Sequence, residues 1–267
     1  RRSDRAEAAG RKVQAPQSAE KGALHRVEHA GVGQLRKAGT LEAHHYLRLS
    51  YYGQQTLMDR VEQGITISEL TRIFLQIAGA LDALHQQGYA HGDLRPEHVL
   101  INSNGQPVLI DLGSAYRTDE DDTPVSADRS GSPAYLSPER IQAASSTVAH
   151  QETARSGAGD YYALGVIAFQ LLSGRLPFSD ESREAVLQAH LQDSVPKLPS
   201  HLQTLQPVID GLMAKKPQPR TSSAAERKEW IHAAAPDAQL AGRGVARASG
   251  DTQAMSARHA QRGRGDE

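Results

Sequence analysis

The sequence predicts an α+β chain, mainly helical, with a smaller strand-rich part, and three observations lead there. Residues 66–88, "TISELTRIFLQIAGALDALHQQG", repeat apolar side chains at three- and four-residue spacing. "HVLI" (98–101) and "PVLI" (107–110) are short apolar runs joined by a turn containing Asn104-Gly105, a hairpin signal. "DYYALGVIAFQLLSG" (160–174) is apolar nearly all round, which predicts a helix buried in the middle of a domain.

In chain order, residues 1–19 are polar and charged, with little to bury. Residues 20–28 read as a short helix ending near "HAGVG", and "HHYLRLSYY" (44–52) reads as a strand stopped by Gly53. In the long helix Leu70, Ile73, Phe74, Ile77, Leu81 and Leu84 share one face. Thr66 with Glu69 spells a capping box, and Gly88 is a stop. The helix delivers the chain into "YAHGDLRPEHVLINSNGQPVLIDLGSA" (89–115). Residues 113–133, rich in Ser, Asp and Thr, read as a mobile surface loop. Gly174 and Pro177 end the apolar helix, and helical segments follow at about 182–192 and 201–214. The packed region closes near Ile231, and from Ala233 onward the composition is that of a disordered linker.

Composition narrows the function. A chain of 267 residues holds one large domain or two modest ones, and 38% apolar residues is low enough to expect an unstructured portion. A formal charge of −1 gives no electrostatic case for nucleic acid or an anionic membrane. The absence of cysteine excludes disulfides, thiolate zinc sites and a cysteine nucleophile, and fits a reducing, cytoplasmic home. No apolar run reaches the ~20 residues of a membrane span, and no signal peptide is visible. The start at Arg1 rather than Met reads as a piece of a longer protein, linked to further domains.

The chemistry concentrates in residues 89–115. A loop between the long helix and the hairpin presents His91, Asp93, Arg95 and His98, and the end of the second strand presents Asp111. The hairpin folds the two carboxylates towards one another. One carboxylate can hold a metal ion while the other accepts a proton from a hydroxyl, and Arg95 can offset charge on a transferring phosphoryl group. Aspartates in loops are more often caps and turn formers, so spacing alone leaves both readings open.

These residues resemble the eukaryotic-type (Hanks-type) serine/threonine protein kinase family in the form common in bacteria. "HGDLRPEHVLI" looks like its catalytic loop and "DLG" (111–113) like its metal-binding triplet. "GSPAYLSPER" (131–140) resembles the end of the activation segment, and "DYYALGV" the start of the central buried helix. The resemblance covers residues 20–231 and implies a protein-kinase-like fold: a partial, β-rich N-lobe (20–52) and a mainly α-helical C-lobe (53–231), flanked by residues 1–19 and a tail at 232–267. It implies ATP and Mg²⁺ as cofactors and a protein substrate. Asp93 becomes the catalytic base, with Arg95 beside it. Asp111 becomes the metal ligand, with His98 at the second metal position. Leu49 becomes the gatekeeper, Ser50 and Tyr52 the hinge, Leu100 the floor of the adenine pocket, and Glu20 the partner of an ATP-anchoring lysine. His91, Gly113, Ser132, Glu139, Asp160 and Arg220 take structural roles: Asp160 holds the catalytic-loop backbone, Arg220 pairs with Glu139, and Ser132 bonds Asp93 and Arg95.

The departures from the family pattern are specific. No glycine-rich loop precedes Glu20, and no lysine lies at a suitable distance ahead of it: Lys12 is too close, and Arg1 and Arg2 are not lysine. Gly92 replaces the arginine that reads a phosphorylated activation segment. His98 replaces asparagine, and imidazole is softer than the oxygen ligands Mg²⁺ prefers; the plainer reading is that His98 orients Asp93 by a hydrogen bond and touches no metal. Arg95 stands for lysine, a planar fork for a point charge. The expected function is therefore a serine/threonine protein kinase, with a pseudokinase scaffold as the alternative. An aminoglycoside- or sugar-type small-molecule kinase ranks third, because Glu139 and Arg220 belong to the peptide-handling pattern.

Overall fold

A computed structural model of the chain describes residues 27–37, 40–49, 51–119, 132–143, 154–218, 220 and 239–240, the first two stretches and the last in backbone only. β1 (Val27–Lys37) and β2 (Thr40–Leu49) form an antiparallel hairpin running from Val27 opposite Leu49 to Lys37 opposite Thr40. This corrects the helix expected over residues 20–28, since Val27 and Glu28 enter a strand; residues 20–26 lie outside the described residues. β2 offers the chain from Val27 onward a ladder of backbone partners, irregular only between Val27 and His29, which an isolated helix end there could not match. The expected strand over 44–52 begins at Thr40 and ends at Leu49.

α1 (Leu57–Glu62) starts on a reciprocal capping box that the sequence reading did not single out: Thr56 N donates to Asp59 Oδ2 at 2.9 Å, and Asp59 N donates to Thr56 Oγ1 at 3.1 Å. β3 (Ile65–Thr66) leads into α2 (Ile67–Gln86). Thr66 caps α2 by accepting from Glu69 N at 3.1 Å, but the expected return bond is not made. The Glu69 carboxylate is taken instead by Arg60, at 3.1 and 2.8 Å. Gln239 and Leu240 (β8), in a tail expected to lack structure, pair antiparallel with Thr66 and Ile65, whose backbone groups form an edge of just two residues.

The predicted face of α2 is the buried one: Leu70, Ile73, Phe74, Ile77, Leu81 and Leu84 are each at most 4% exposed. It packs on α4 (Ala158–Ser173), which is buried from Gly159 to Leu171 without interruption. After α2 come β4 (Tyr89–Ala90), β5 (Val99–Ile101), β6 (Pro107–Leu109) and β7 (Tyr116–Arg117). β5 and β6 form the predicted hairpin, with Leu100 opposite Val108. Its connection is the five-residue stretch 102–106, pinned by Asn102 Oδ1, which accepts from Asn104 N at 2.9 Å and Gln106 N at 3.0 Å.

α3 (Pro138–Ala143) precedes α4, and α5 (Arg183–Gln192) and α6 (Gln206–Leu212) follow it. The helix expected over 201–214 is split into a 3-10 turn at Ser200–Leu205 and α6, because Pro207 cannot sit inside a continuous helix without striking the carbonyl four residues back. Tyr162, Leu164, Ile167 and Phe169 of α4 are fully buried, and each such side chain contributes about 1.5–3 kcal/mol by leaving water. α6 lies so close to α4 that a Cβ at Gly165 would stand 2.7 Å from Leu212 Cβ. α4 is thus the central post of the helical part. Among the described residues no helix is long and apolar enough to cross a membrane.

Candidate active site

The site is assembled where α2 ends. Gln87 caps the helix, and β4 then pairs with β7, Tyr89 opposite Arg117 and Ala90 opposite Tyr116. Part of the segment expected to be a mobile loop is therefore a strand, which ties the chain entering the Asp93 loop to the chain leaving Asp111; residues 120–131 lie outside the described residues.

His91 is fully buried and joins the same two segments through its ring. Its Nε2–H donates to Ile110 O at 3.0 Å, and Nδ1 accepts from Asp93 N at 3.3 Å. Burial lowers its pKa, outweighing the nearby Asp160 and Ile110 carbonyl, so the ring is held neutral with its proton on Nε2. One residue on, Gly92 adopts φ +80°, and a Cβ there would lie 2.5 Å from Ser114 O and 3.0 Å from the Tyr116 ring. Glycine is the residue this crossing admits. The Arg140 guanidinium, 5.7 Å over the Tyr116 ring, donates from Nη1 to Gly92 O.

Asp160, at the start of α4, holds this loop from below. Its carboxylate accepts from His91 N at 2.8 Å, from Gly92 N at 3.0 Å and from His85 Nε2 at 2.8 Å. Burial alone would raise the Asp160 pKa, but the His85 hydrogen bond and charge, His91 and the Gly92 N–H together lower it to about 2.

Above that support, His98 stands between the two aspartates. Its Nδ1–H donates to Asp93 O at 2.8 Å, so the bond goes to the backbone carbonyl, with Asp93 Oδ2 farther off at 3.6 Å. Its Nε2 lies 3.4 Å from Asp111 Oδ2. Asp111 has φ 60° and ψ 61°, a left-handed conformation that aspartate tolerates better than most residues, and its Oδ1 accepts from Gly113 N at 3.3 Å. The Asp93 and His98 side chains are 16% and 15% exposed, against 58% for Asp111. The proton-accepting candidate is sheltered and the metal-binding candidate faces outward.

Two expected contacts are not made. Arg95 turns its Nε to Glu97 Oε2 at 2.9 Å. Ser132 is buried at the start of the 3-10 turn Pro133–Tyr135, and no hydrogen bond joins it to Asp93 or Arg95; with Glu97 beside it, Arg95 has a nearer anionic partner than a neutral hydroxyl. Glu139 and Arg220 meet as a bidentate pair at 2.6 and 2.8 Å, both buried. Leu100 is half-buried and bridges to Thr56, and Ile101 N donates to Gln55 O at 2.8 Å, so the stretch after Tyr52 is stitched to β5. Leu49 closes β2, while Ser50 and Glu20 lie outside the described residues.

The donors present fit a divalent cation. Asp111 Oδ2 and His98 Nε2 converge, and no group of three or more His, Asp or Glu side chains gathers as a closed metal cage among the described residues. Such an open site leaves positions for phosphate oxygens and water.

The model of the protein kinase domain matches residues 5–231. The chain belongs to the protein kinase domain family. The match begins ahead of Glu20 and takes in most of the polar N-terminal stretch. A probable serine/threonine-protein kinase PknB of Lactococcus lactis is 30% identical over 199 residues, 72% of this chain and 30% of that protein. The serine/threonine-protein kinase Pkn1 of Myxococcus xanthus is 31% identical, over 81% of this chain and 31% of its own length. The Arabidopsis thaliana serine/threonine-protein kinase AtPK1/AtPK6 is 27% identical, over 80% of this chain and 44% of its own. The chain thus spans less than half the length of each of these relatives.

Within this kinase fold, the sequence reading overlooked three residues that shape the loop: His85, which supports Asp160; Arg140, which holds Gly92 O; and Glu97, which takes Arg95. His85 and Arg140 act across large separations in the chain and left no local pattern. Glu97, two positions after Arg95, was legible as an adjacent opposite charge.

Proposed function

We propose that this chain is the catalytic domain of a serine/threonine protein kinase, moving the γ-phosphoryl group of ATP to a protein hydroxyl with a divalent cation, Mg²⁺ in the family's usual form. The single observation that carries the reading is the convergence of Asp93 and Asp111 on the two ring nitrogens of His98, on a loop hung from the buried Asp160. The substrate hydroxyl oxygen forms the new bond to the γ-phosphorus as the bridging bond to ADP breaks, and the hydroxyl proton passes to the Asp93 carboxylate. Bound at Asp111, the cation supplies charge neutralisation for the phosphates. Arg95 adds positive charge beside the transfer path. Glu139 and Arg220 brace the segment on which a peptide hydroxyl would rest. Glu20, Leu49, Ser50, Tyr52 and Leu100 are proposed for the nucleotide side.

An ATP-dependent enzyme of this kind works in the cytoplasm, and the greater length of its relatives supports linkage to further domains beyond residues 20–231. A scaffold reading would have to rest on the engagement of Arg95 by Glu97. The deciding experiment is transfer of radiolabelled γ-phosphate to the chain itself and to a generic basic protein, with Asp93→Asn as control. The kinase reading expects transfer that Asp93→Asn lowers by about two orders of magnitude or more. Tight nucleotide binding with no transfer that depends on Asp93 would establish the scaffold.

A further inference from the structure

We propose that Arg140 is a positioning residue for Asp93. From α3, at the end of the segment on which a peptide hydroxyl would rest, it fixes the peptide group between Gly92 and Asp93 and so ties the aim of the Asp93 carboxylate to the seating of that segment. The proposal deepens the kinase reading, on which it relies for the role of Asp93.

Gly92 has no side chain to anchor it, and glycine adopts positive and negative φ about equally readily, so its own preferences do not set the direction of the next peptide. Two buried side chains of opposite charge do. The Asp160 carboxylate accepts from Gly92 N at 3.0 Å, and Arg140 Nη1–H donates to Gly92 O. The anion thus meets the N–H and the cation meets the carbonyl. Hydrogen bonds with one ionised partner are roughly twice as strong as neutral ones. The peptide group that begins at Gly92 O ends at Asp93 N, which donates to His91 Nδ1 at 3.3 Å. That group is therefore held on both sides, its oxygen by Arg140 and its hydrogen by His91. With the Arg140 bond lost, Gly92 is free to turn about its own backbone, and Asp93 turns with it.

The path of Arg140 to the loop is itself built. The residue is 6% exposed, and its guanidinium lies 5.7 Å from the centre of the Tyr116 ring, whose hydroxyl donates to Ala154 O at 3.1 Å. Its stem crosses the first turn of α4 at Gly159, where a Cβ would stand 3.4 Å from Arg140 Cδ and 3.2 Å from Ser137 Oγ. Glycine leaves that crossing open. The preceding residue, Glu139, is held by Arg220 through two hydrogen bonds. Adjacent residues of α3 therefore do different work: Glu139 secures the helix to the core, and Arg140 extends from the secured helix to the backbone of the Asp93 loop. A displacement of α3 is passed to Gly92 O through one side chain, and from there to Asp93 through one peptide group.

The test compares the parent chain with Arg140→Met and Arg140→Lys, by amide hydrogen exchange followed by NMR and by steady-state transfer from ATP to a generic basic protein. In Arg140→Met the Asp93 amide should exchange about tenfold faster or more, while the His91 and Gly92 amides, still bonded to Asp160, keep the parent's rates. The kcat should fall about ten- to a hundredfold with the KM for ATP unchanged. Arg140→Lys, which keeps the charge without the planar fork, should recover part of both. Exchange that rises alike at all three amides makes Arg140 a stabilising residue only and overturns the proposal. Unchanged Asp93 exchange, or the parent's kcat in Arg140→Met, also overturns it. If Arg140→Met does not fold, ¹⁵N-arginine labelling of the parent chain decides: a slowly exchanging guanidinium N–H with an Overhauser contact to the Tyr116 ring is expected, and its absence overturns the proposal. A parent chain that transfers no phosphate would remove the kinase reading and leave the exchange pattern to decide this one. Transfer with Asp93 exchange insensitive to Arg140 would do the reverse.

Discussion

Replacing Gly92 by alanine tests the way the Asp93 loop is threaded through the molecule. The substitution meets two separate obstacles. A left-handed backbone costs an L-residue about 1–2 kcal/mol, and Gly92 sits at φ +80°. The added Cβ would also lie 2.5 Å from Ser114 O, a backbone atom that cannot swing aside. Displacing packed neighbours to admit a methyl group costs a further 1–3 kcal/mol or so. The total is roughly 2–5 kcal/mol. Gly88 supplies the control, because its φ is +76° but a Cβ there would meet nothing nearer than the Asp119 side chain at 3.9 Å. Gly88→Ala should therefore carry the backbone cost alone, about 1–2 kcal/mol. Urea unfolding of both variants reads the difference as a larger fall in midpoint for Gly92→Ala at unchanged slope. If the two variants lose the same stability, Ser114 does not cross over Gly92 and the described path of the loop is wrong.

Three further outcomes follow from the same contacts. Glu139→Gln leaves the fully buried Arg220 guanidinium without its anion, and should cost about 3–5 kcal/mol in chemical unfolding, part of which returns when Arg220→Met is added. Asp160 is held at about pKa 2, below the ordinary carboxylate value of 3.8, so its contribution is complete above about pH 4 and is lost as the pH falls towards 2. Acid titration of stability should accordingly show the parent chain converging on Asp160→Asn over that interval, and an advantage that stays constant with pH would refute the assignment. Phe169→Ala, at a fully buried position of α4, should cost about 3–5 kcal/mol, whereas Tyr51→Ala, 80% exposed, should change stability by less than about 0.5 kcal/mol in the same thermal assay.

What could be seen in the sequence was whatever rests on local periodicity. The face of α2, the β5–β6 hairpin and the uniformly apolar α4 each follow from spacing within a single element, and each packs as that spacing predicts. Competition between partners was not visible. Thr66 and Glu69 have the letters of a capping box, but Arg60 offers the Glu69 carboxylate a charge that the Thr66 N–H cannot match. Ser132 loses Arg95 to Glu97 for the same reason. Val27 and Glu28 read as helical in isolation and become strand because β2 lies alongside. In the site, motif order located the aspartates and a hydrogen bond from His98 to Asp93 was expected, but nothing in the sequence showed that it would go to the backbone carbonyl and leave the other nitrogen facing Asp111.

The Asp160 carboxylate gives the Asp93 loop an uncommon dynamic standing. Amide protons in loops ordinarily exchange with solvent through small local openings, independently of the core. Those of His91 and Gly92 are bonded to a residue at the head of the most deeply buried helix, so releasing them means disturbing α4 itself. The backbone ahead of Asp93 therefore inherits the lifetime of the core, while Asp111, exposed and tethered mainly through its own turn, relaxes on the faster clock of the surface. One carboxylate of the pair is a fixed reference and the other the adjustable partner, an unequal division that suits the ligand exchange the proposed phosphoryl transfer would require.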